Sequence, residues 1–290
     1  MKKHAILSTD LSKASDKLIE CAYEYKSFGI QKITLLHALG LKHVQAFEDM
    51  LKKEAKEKIA EQKKMLEKHG LEVDTKIAPG LAKDELEKLY NELDAALVIV
   101  GTHGYSITDA VVGGTASEII LNMKYPVLLV VMKGIETKEG EECKLYCSNF
   151  VDHILLPTDF SDTVEQAYQW LKAREVELPK LTLMHIQDEV KIGKHLEHKL
   201  EEFNQIDQGR LERLKNDFQS THPETEIDIV LDYGKPLQKI LKFIEDNDVC
   251  LTVMGSQGRG FLSQIFVGSV GHQVARHADS NVMLVPYPRR

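Results

Sequence analysis

The sequence predicts two α/β domains in tandem, each a doubly wound, five-stranded parallel sheet. Three observations predict the class. The first is an internal duplication: His4-Ala-Ile-Leu-Ser-Thr-Asp10 returns as His153-Ile-Leu-Leu-Pro-Thr-Asp159, Lys32-Ile-Thr-Leu-Leu-His37 as Lys180-Leu-Thr-Leu-Met-His185, and Leu97-Val-Ile-Val-Gly101 as Leu251-Thr-Val-Met-Gly255. The order is kept and the spacing drifts only from 148 to 154 residues, far too long for a solenoid repeat. The second is the alternation of short apolar runs with longer stretches of helical periodicity. The third is the length of every strand-to-strand connection, which demands crossovers and therefore parallel strands covered by helices.

In the first copy, strands are expected at residues 5–7, 33–36, 73–77, 97–100 and 127–131. Helices fill the gaps. Ser12 is a suitable N-cap for a helix over 13–25. The charged stretch 47–68 places Leu51, Ala55, Ile59 and Leu66 mostly on one face, and Gly70 stops it. Residues 81–93 and 115–123 complete the set. The second copy repeats the series, with strands near Ile154, Leu181, Ile227, Leu251 and Val282. The domains are expected at 1–132 and 151–290. Residues 133–150 turn abruptly to charge and glycine and read as a linker.

Composition removes several function classes. The 290 residues are 43% hydrophobic and 28% charged, a globular balance. Acidic residues outnumber Lys and Arg by 45 to 37, giving a formal charge of −8, which argues against a nucleic-acid partner. No apolar run reaches the ~18 residues that would cross a membrane. The apolar run at the amino end stops at Ser8, too soon for a secretory signal. Four cysteines at irregular positions make no disulfide framework, so a reducing, cytoplasmic setting is expected.

In a doubly wound sheet the ligand crevice lies beyond the carboxyl ends of the strands. Two features recur there. The first strand ends in Ser8-Thr9-Asp10 and, in the second copy, Pro157-Thr158-Asp159. Such an aspartate can accept hydrogen bonds from a purine amino group or a ribose hydroxyl, or it can cap its own turn. After the fourth strand, Gly101 and Gly104 are followed, after nine intervening residues, by Gly114-Thr115, and Gly255 and Gly258 by Gly268-Ser269 at the same spacing. Glycines let backbone N–H groups approach an anion, and Thr115 or Ser269 then opens a helix whose N-terminus favours phosphate. Tight turns are the structural alternative. There is no P-loop, and the Gly258-Arg-Gly260 start of a dinucleotide fingerprint meets Ser263 where the third glycine belongs.

Pro-Thr-Asp-Phe-Ser at the first strand and the Gly-x2-Gly-x9-Gly-[Ser/Thr] spacing after the fourth resemble the universal stress protein family. Nearly the whole chain outside the linker looks like a tandem of two such domains. The resemblance implies the strand order 3-2-1-4-5 and an adenine nucleotide, usually ATP or AMP, with ADP as a further form. If ATP is hydrolysed, slow turnover is expected, with Mg²⁺ held largely by the phosphates. It implies Asp159 at adenine beside Pro157 and Thr158, with the residues around Ile186 lining the pocket. Gly255 and Gly258 would face ribose and phosphates, and Gly268, Ser269 and Val270 the phosphates. Asp10, Gly101, Gly104, Gly114 and Thr115 hold the equivalent places in the first copy. Pairing of domains through the last strand is also implied, within the chain as a pseudo-dimer or between chains as a homodimer.

The first copy departs from the pattern: Ser8 replaces proline, Tyr105 stands where Arg259 stands, and Asp109 adds negative charge. Arg259 offers phosphate a forked set of donors that Tyr105 lacks. His4, His37, His153 and His185 recur at strand ends, where they satisfy backbone groups or serve a metal. His195 and His198 fall on a charged helical stretch and read as solvated. Cys143 and Cys147 near His153 suggest a soft metal or redox pair, but a fourth ligand is missing; Cys21 and Cys250 read as core. No catalytic constellation stands out. The expectation is a nucleotide-binding stress-response or regulatory protein, with a slow ATPase or adenylating enzyme and a nucleotide-free scaffold as the alternatives.

Overall fold

The computed structural model describes residues 2–40, 45–102, 113–137, 140–145, 149–256 and 269–287. The chain divides into two compact units, Met1–Ser148 and Asn149–Arg290.

The first unit runs β1 (His4–Ser8), α1 (Lys13–Glu20), α2 (Ala22–Ser27), β2 (Lys32–Ala38), α3 (Gln45–Lys68), β3 (Glu72–Ala78), α4 (Ala82–Leu93), β4 (Leu97–Gly101), α5 (Gly114–Asn122) and β5 (Val127–Val130). A hairpin of β6 (Met132–Thr137) and β7 (Gly140–Leu145) follows. The parallel order is β3-β2-β1-β4-β5, so the winding reverses between β3 and β4. Right-handed crossovers then place the helices on both faces. Burial follows: β4 and β5 are buried almost continuously, whereas in the edge strand β3 only Val73 and Ala78 are buried.

The second unit repeats this as β8 (Ile154–Pro157), α6 (Asp162–Lys172), β9 (Lys180–Asp188), α7 (Glu189–Leu196), α8 (Leu200–Gln219), β10 (Glu226–Gly234), α9 (Pro236–Asp246), β11 (Leu251–Gly255), α10 (Ser269–His277) and β12 (Asn281–Val285). Its order is β10-β9-β8-β11-β12. Every residue of β8, β11 and β12 is buried. The fold class and strand order expected from the sequence are those observed.

Local chemistry explains the boundaries. Ser12 accepts from Ser15 N–H at 3.2 Å and starts α1 as expected. The helix expected over 13–25 is broken in two at Cys21, where ψ turns to 10°. Gly70, at φ 75°, ends the α3 segment. Part of the stretch expected as a linker is the β6–β7 hairpin, in register from Met132 opposite Leu145 to Thr137 opposite Gly140. The recurrent histidines do satisfy neighbours: His4 Nε2 lies 2.8 Å from Thr34 Oγ1, and His153 Nε2 lies 2.8 Å from Thr182 Oγ1. Among the described residues no group of three or more His, Cys, Asp or Glu could hold a metal, and no helix is long and apolar enough to cross a membrane. The side chain of Cys143 and the whole of Cys147 lie outside the described residues.

Candidate functional site

Each first strand runs into the same turn. Thr158 Oγ1 accepts from Phe160 N–H and Asp159 Oδ1 from Ser161 N–H, both at 3.0 Å. In the first unit Thr9 Oγ1 accepts from Leu11 N–H and Asp10 Oδ1 from Ser12 N–H, again both at 3.0 Å. These bonds hold Leu11 at φ 62° and Phe160 at φ 56°, a left-handed conformation that side chains normally avoid. The aspartates therefore do cap their own turns. The cap also fixes each carboxylate at the carboxyl end of the sheet, and both line a cavity there.

A strand-end histidine sets the neighbouring wall. Thr158 N–H donates to the Met184 carbonyl at 2.7 Å, the last contact in the β8–β9 ladder. The Thr158 carbonyl, which the next rung would use, accepts instead from His185 Nδ1 at 2.6 Å. Since a carbonyl only accepts, Nδ1 carries the proton. Backbone direction alternates along a strand, so Ile186 presents its N–H and C=O on the same side as Met184, past the end of the ladder. His37 and Thr9 repeat the contact at 2.9 Å, leaving Ala38 where Ile186 stands.

The second unit's cavity has a volume of about 330 Å³. Pro157, Thr158, Asp159, Ile186, Gly255 and Val270 all line it. Sequence reasoning missed the walls supplied by α7, α8 and α9, among them Lys191, Ile192, Phe203, Asp207 and Ile240. One signal was legible: Phe203, Asp207 and Leu211 recur every four residues, so an acid interrupts an apolar helical row. Asp207 is buried, accepts from Gln187 Nε2 and Arg210 Nη1, and lies 3.4 Å from His185 Nε2.

The first unit's cavity, about 390 Å³, is lined differently. It gathers Asp10, Gly101, Gly114 and Thr115 with small neighbours such as Ala38, Ala82 and Ala116. Ser15 Oγ donates to Asp10 Oδ1 at 2.6 Å, and Thr9 Oγ1 donates to Gln62 Oε1 at 2.8 Å. Val164 holds the place of Ser15 in the second unit and has no hydroxyl to offer.

The glycines divide by cause. A Cβ on Gly255 would lie 2.8 Å from the backbone carbonyl of Thr163 in α6, so packing alone requires glycine there. A Cβ on Gly114 would meet nothing within 4 Å, which leaves room for a group to approach the start of α5. Ser269 opens α10, and only its backbone is described. Gly104, Gly258, Arg259 and Gly268 lie outside the described residues, as do Tyr105 and Asp109.

With this geometry in place, the family model of universal stress proteins matches residues 1–131 and 151–286, nearly the whole chain in two segments. The chain belongs to the universal stress protein family. It carries two universal stress protein domains in tandem. A universal stress protein of Methanocaldococcus jannaschii is 31% identical over 150 residues, which is 46% of this chain and 93% of that protein. A crystal structure of a universal stress protein from Archaeoglobus fulgidus aligns over 99% of both chains with a TM-score of 0.73 at 20% identity. A putative universal stress protein from Pseudomonas aeruginosa aligns over 99% of this chain and 94% of its own, with a TM-score of 0.60 at 14% identity. The two structures speak for the universal stress protein fold over the full length.

Proposed function

We propose that this universal stress protein binds an adenine nucleotide in the cavity of its second unit and acts as a nucleotide-responsive regulatory protein of the stress response. The observation that carries the reading is the main chain of Ile186. A donor and an acceptor held side by side past the end of a ladder complement the N1 acceptor and 6-amino donor of adenine. The apolar walls from Ile186, Met254 and Val270 suit the faces of a base. Asp159, held by its own turn, sits within the same cavity as an acceptor for the nucleoside. Arg259, Gly268 and Ser269 would take the phosphates, by resemblance, and Mg²⁺ would be held through those phosphates. The cytoplasmic setting and self-association belong to the same proposal.

Among the described residues of this cavity, His185 is not offered to a substrate, since its two ring nitrogens face the Thr158 carbonyl and the Asp207 carboxylate. That favours binding over turnover. Mass analysis of small molecules released from freshly purified, denatured protein, followed by calorimetric titration with ATP, ADP and AMP, tests the reading. An adenine nucleotide released or bound is the expected result. Failure of all three to bind would leave the nucleotide-free scaffold, and multiple-turnover phosphate or pyrophosphate release would establish an enzyme instead.

A further inference from the structure

The wall of the second cavity against α8 carries a polar cluster that the adenine reading leaves unused. Gln187 is 4% exposed, and its Nε2 donates to Asp207 Oδ2 at 3.1 Å. A carboxylate can only accept, so the amide has one satisfied orientation, with its NH₂ on Asp207 and its Oε1 turned away. Asp207 is itself held: Oδ1 accepts from Arg210 Nη1 at 3.1 Å, and the Arg210 guanidinium lies 5.1 Å from the centre of the Phe160 ring. Gln187 and Asp207 both line the cavity.

We propose that Gln187, oriented by Asp207, makes the second site select a purine bearing a 6-amino group over one bearing a 6-oxo group. This rests on the reading that the cavity takes a purine nucleotide. In this reading Gln187 Oε1 faces the cavity, where it and the Ile186 carbonyl would give each hydrogen of an amino group an acceptor. A 6-oxo group would set its own lone pairs against both, and buried acceptors left without donors are costly. Asp207 is a positioning residue: it acts by denying the amide its other orientation. Leu39 holds the corresponding place in the first unit and has no acceptor, so the device belongs to the second site.

The test is calorimetric titration of the full chain with ATP and with inosine triphosphate, which carries oxygen in place of the 6-amino group. In the unchanged protein ATP binds the tighter. In Gln187→Leu, the residue the first unit carries, the ratio of ATP to inosine triphosphate affinity falls about tenfold, the effect of one hydrogen bond of roughly 1.4 kcal/mol. In Asp207→Ala the freed amide can turn its NH₂ to the cavity, so inosine triphosphate gains relative to ATP. A purely structural role for Asp207 would weaken both ligands together. Melting curves without ligand check that each variant is folded, and Gln187→Leu decides alone if Asp207→Ala is not. ATP binding with an unchanged ratio in Gln187→Leu overturns the inference while the nucleotide reading stands. Failure of the unchanged protein to bind either triphosphate removes both.

Discussion

The Ser15 hydroxyl donates to the Asp10 carboxylate at 2.6 Å in the first unit, whereas Val164 stands at the equivalent place beside Asp159 in the second. A hydrogen bond to a charged group is worth about 1.5–3 kcal/mol, and here it competes with any donor a ligand would bring. A ligand donor at Asp10 must displace that hydroxyl, and with Tyr105 in the place of Arg259 the first cavity is expected to hold nucleotide weakly. Val164→Ser should lower the ATP affinity of the second site about tenfold. Ser15→Val should raise that of the first, moving the calorimetric stoichiometry from near one ATP per chain toward two. Two equal sites in the unchanged protein would refute this.

The two glycines with opposite surroundings give a prediction that separates packing from binding. Gly255→Ala drives a methyl group into the backbone of Thr163 and should cost about 1–3 kcal/mol of stability, seen as a lower melting temperature with or without nucleotide. Gly114→Val has open space around it and should fold normally. If phosphate settles at the start of α5, that variant loses any binding at the first site. A Gly255→Ala protein as stable as the parent would contradict the geometry.

Arg259 and Gly268 enter from the sequence. Loss of a charge-assisted phosphate contact in Arg259→Ala should weaken ATP binding roughly 10- to 100-fold. If backbone meets phosphate at Gly268, as the proposed reading has it, Gly268→Val puts a branched side chain there and should abolish ATP binding. ATP bound normally by a folded Gly268→Val protein would remove the phosphate assignment.

Burial holds the His153 imidazole below its ordinary pKa, partly opposed by its bond to the Asn247 carbonyl; burial first and Lys32 second do the same to His4. The unfolded chain then takes up protons on these rings before the folded one does. Stability conferred by the neutral rings is present above pH 6.5, the ordinary histidine value, and is lost as pH falls below it. Melting temperature should therefore fall as pH drops below 6.5. His153→Gln should flatten the dependence at some cost in stability at pH 7.5. A profile that rises toward acid would show the opposite sign of linkage.

The sheet was legible because its causes are local and duplicated. A buried parallel strand must be a short continuous apolar run, and its repetition at a near-constant offset identified the strands; their order in the sheet came from the resemblance to universal stress proteins. The Asp10 and Asp159 turns were legible for the same reason. The break at Cys21 was not, since its flanking residues keep the helical period. Nor was the β6–β7 hairpin, whose register sets Lys133 opposite Lys144 and Glu136 opposite Glu141, pairings that local rules disfavour.

The cavity walls show the same division. Sequence alone determined the family, the duplicated strands and the strand-end positions of Asp159, Ile186 and Gly255, because strand ends converge in any sheet of this winding. Only the tertiary structure decided that Gly255 answers to Thr163, that His185 takes the carbonyl of Thr158, and that Asp207 reaches Gln187 from α8. Those contacts join residues 92, 27 and 20 positions apart, and no periodicity within one element encodes which residue of another element it will meet.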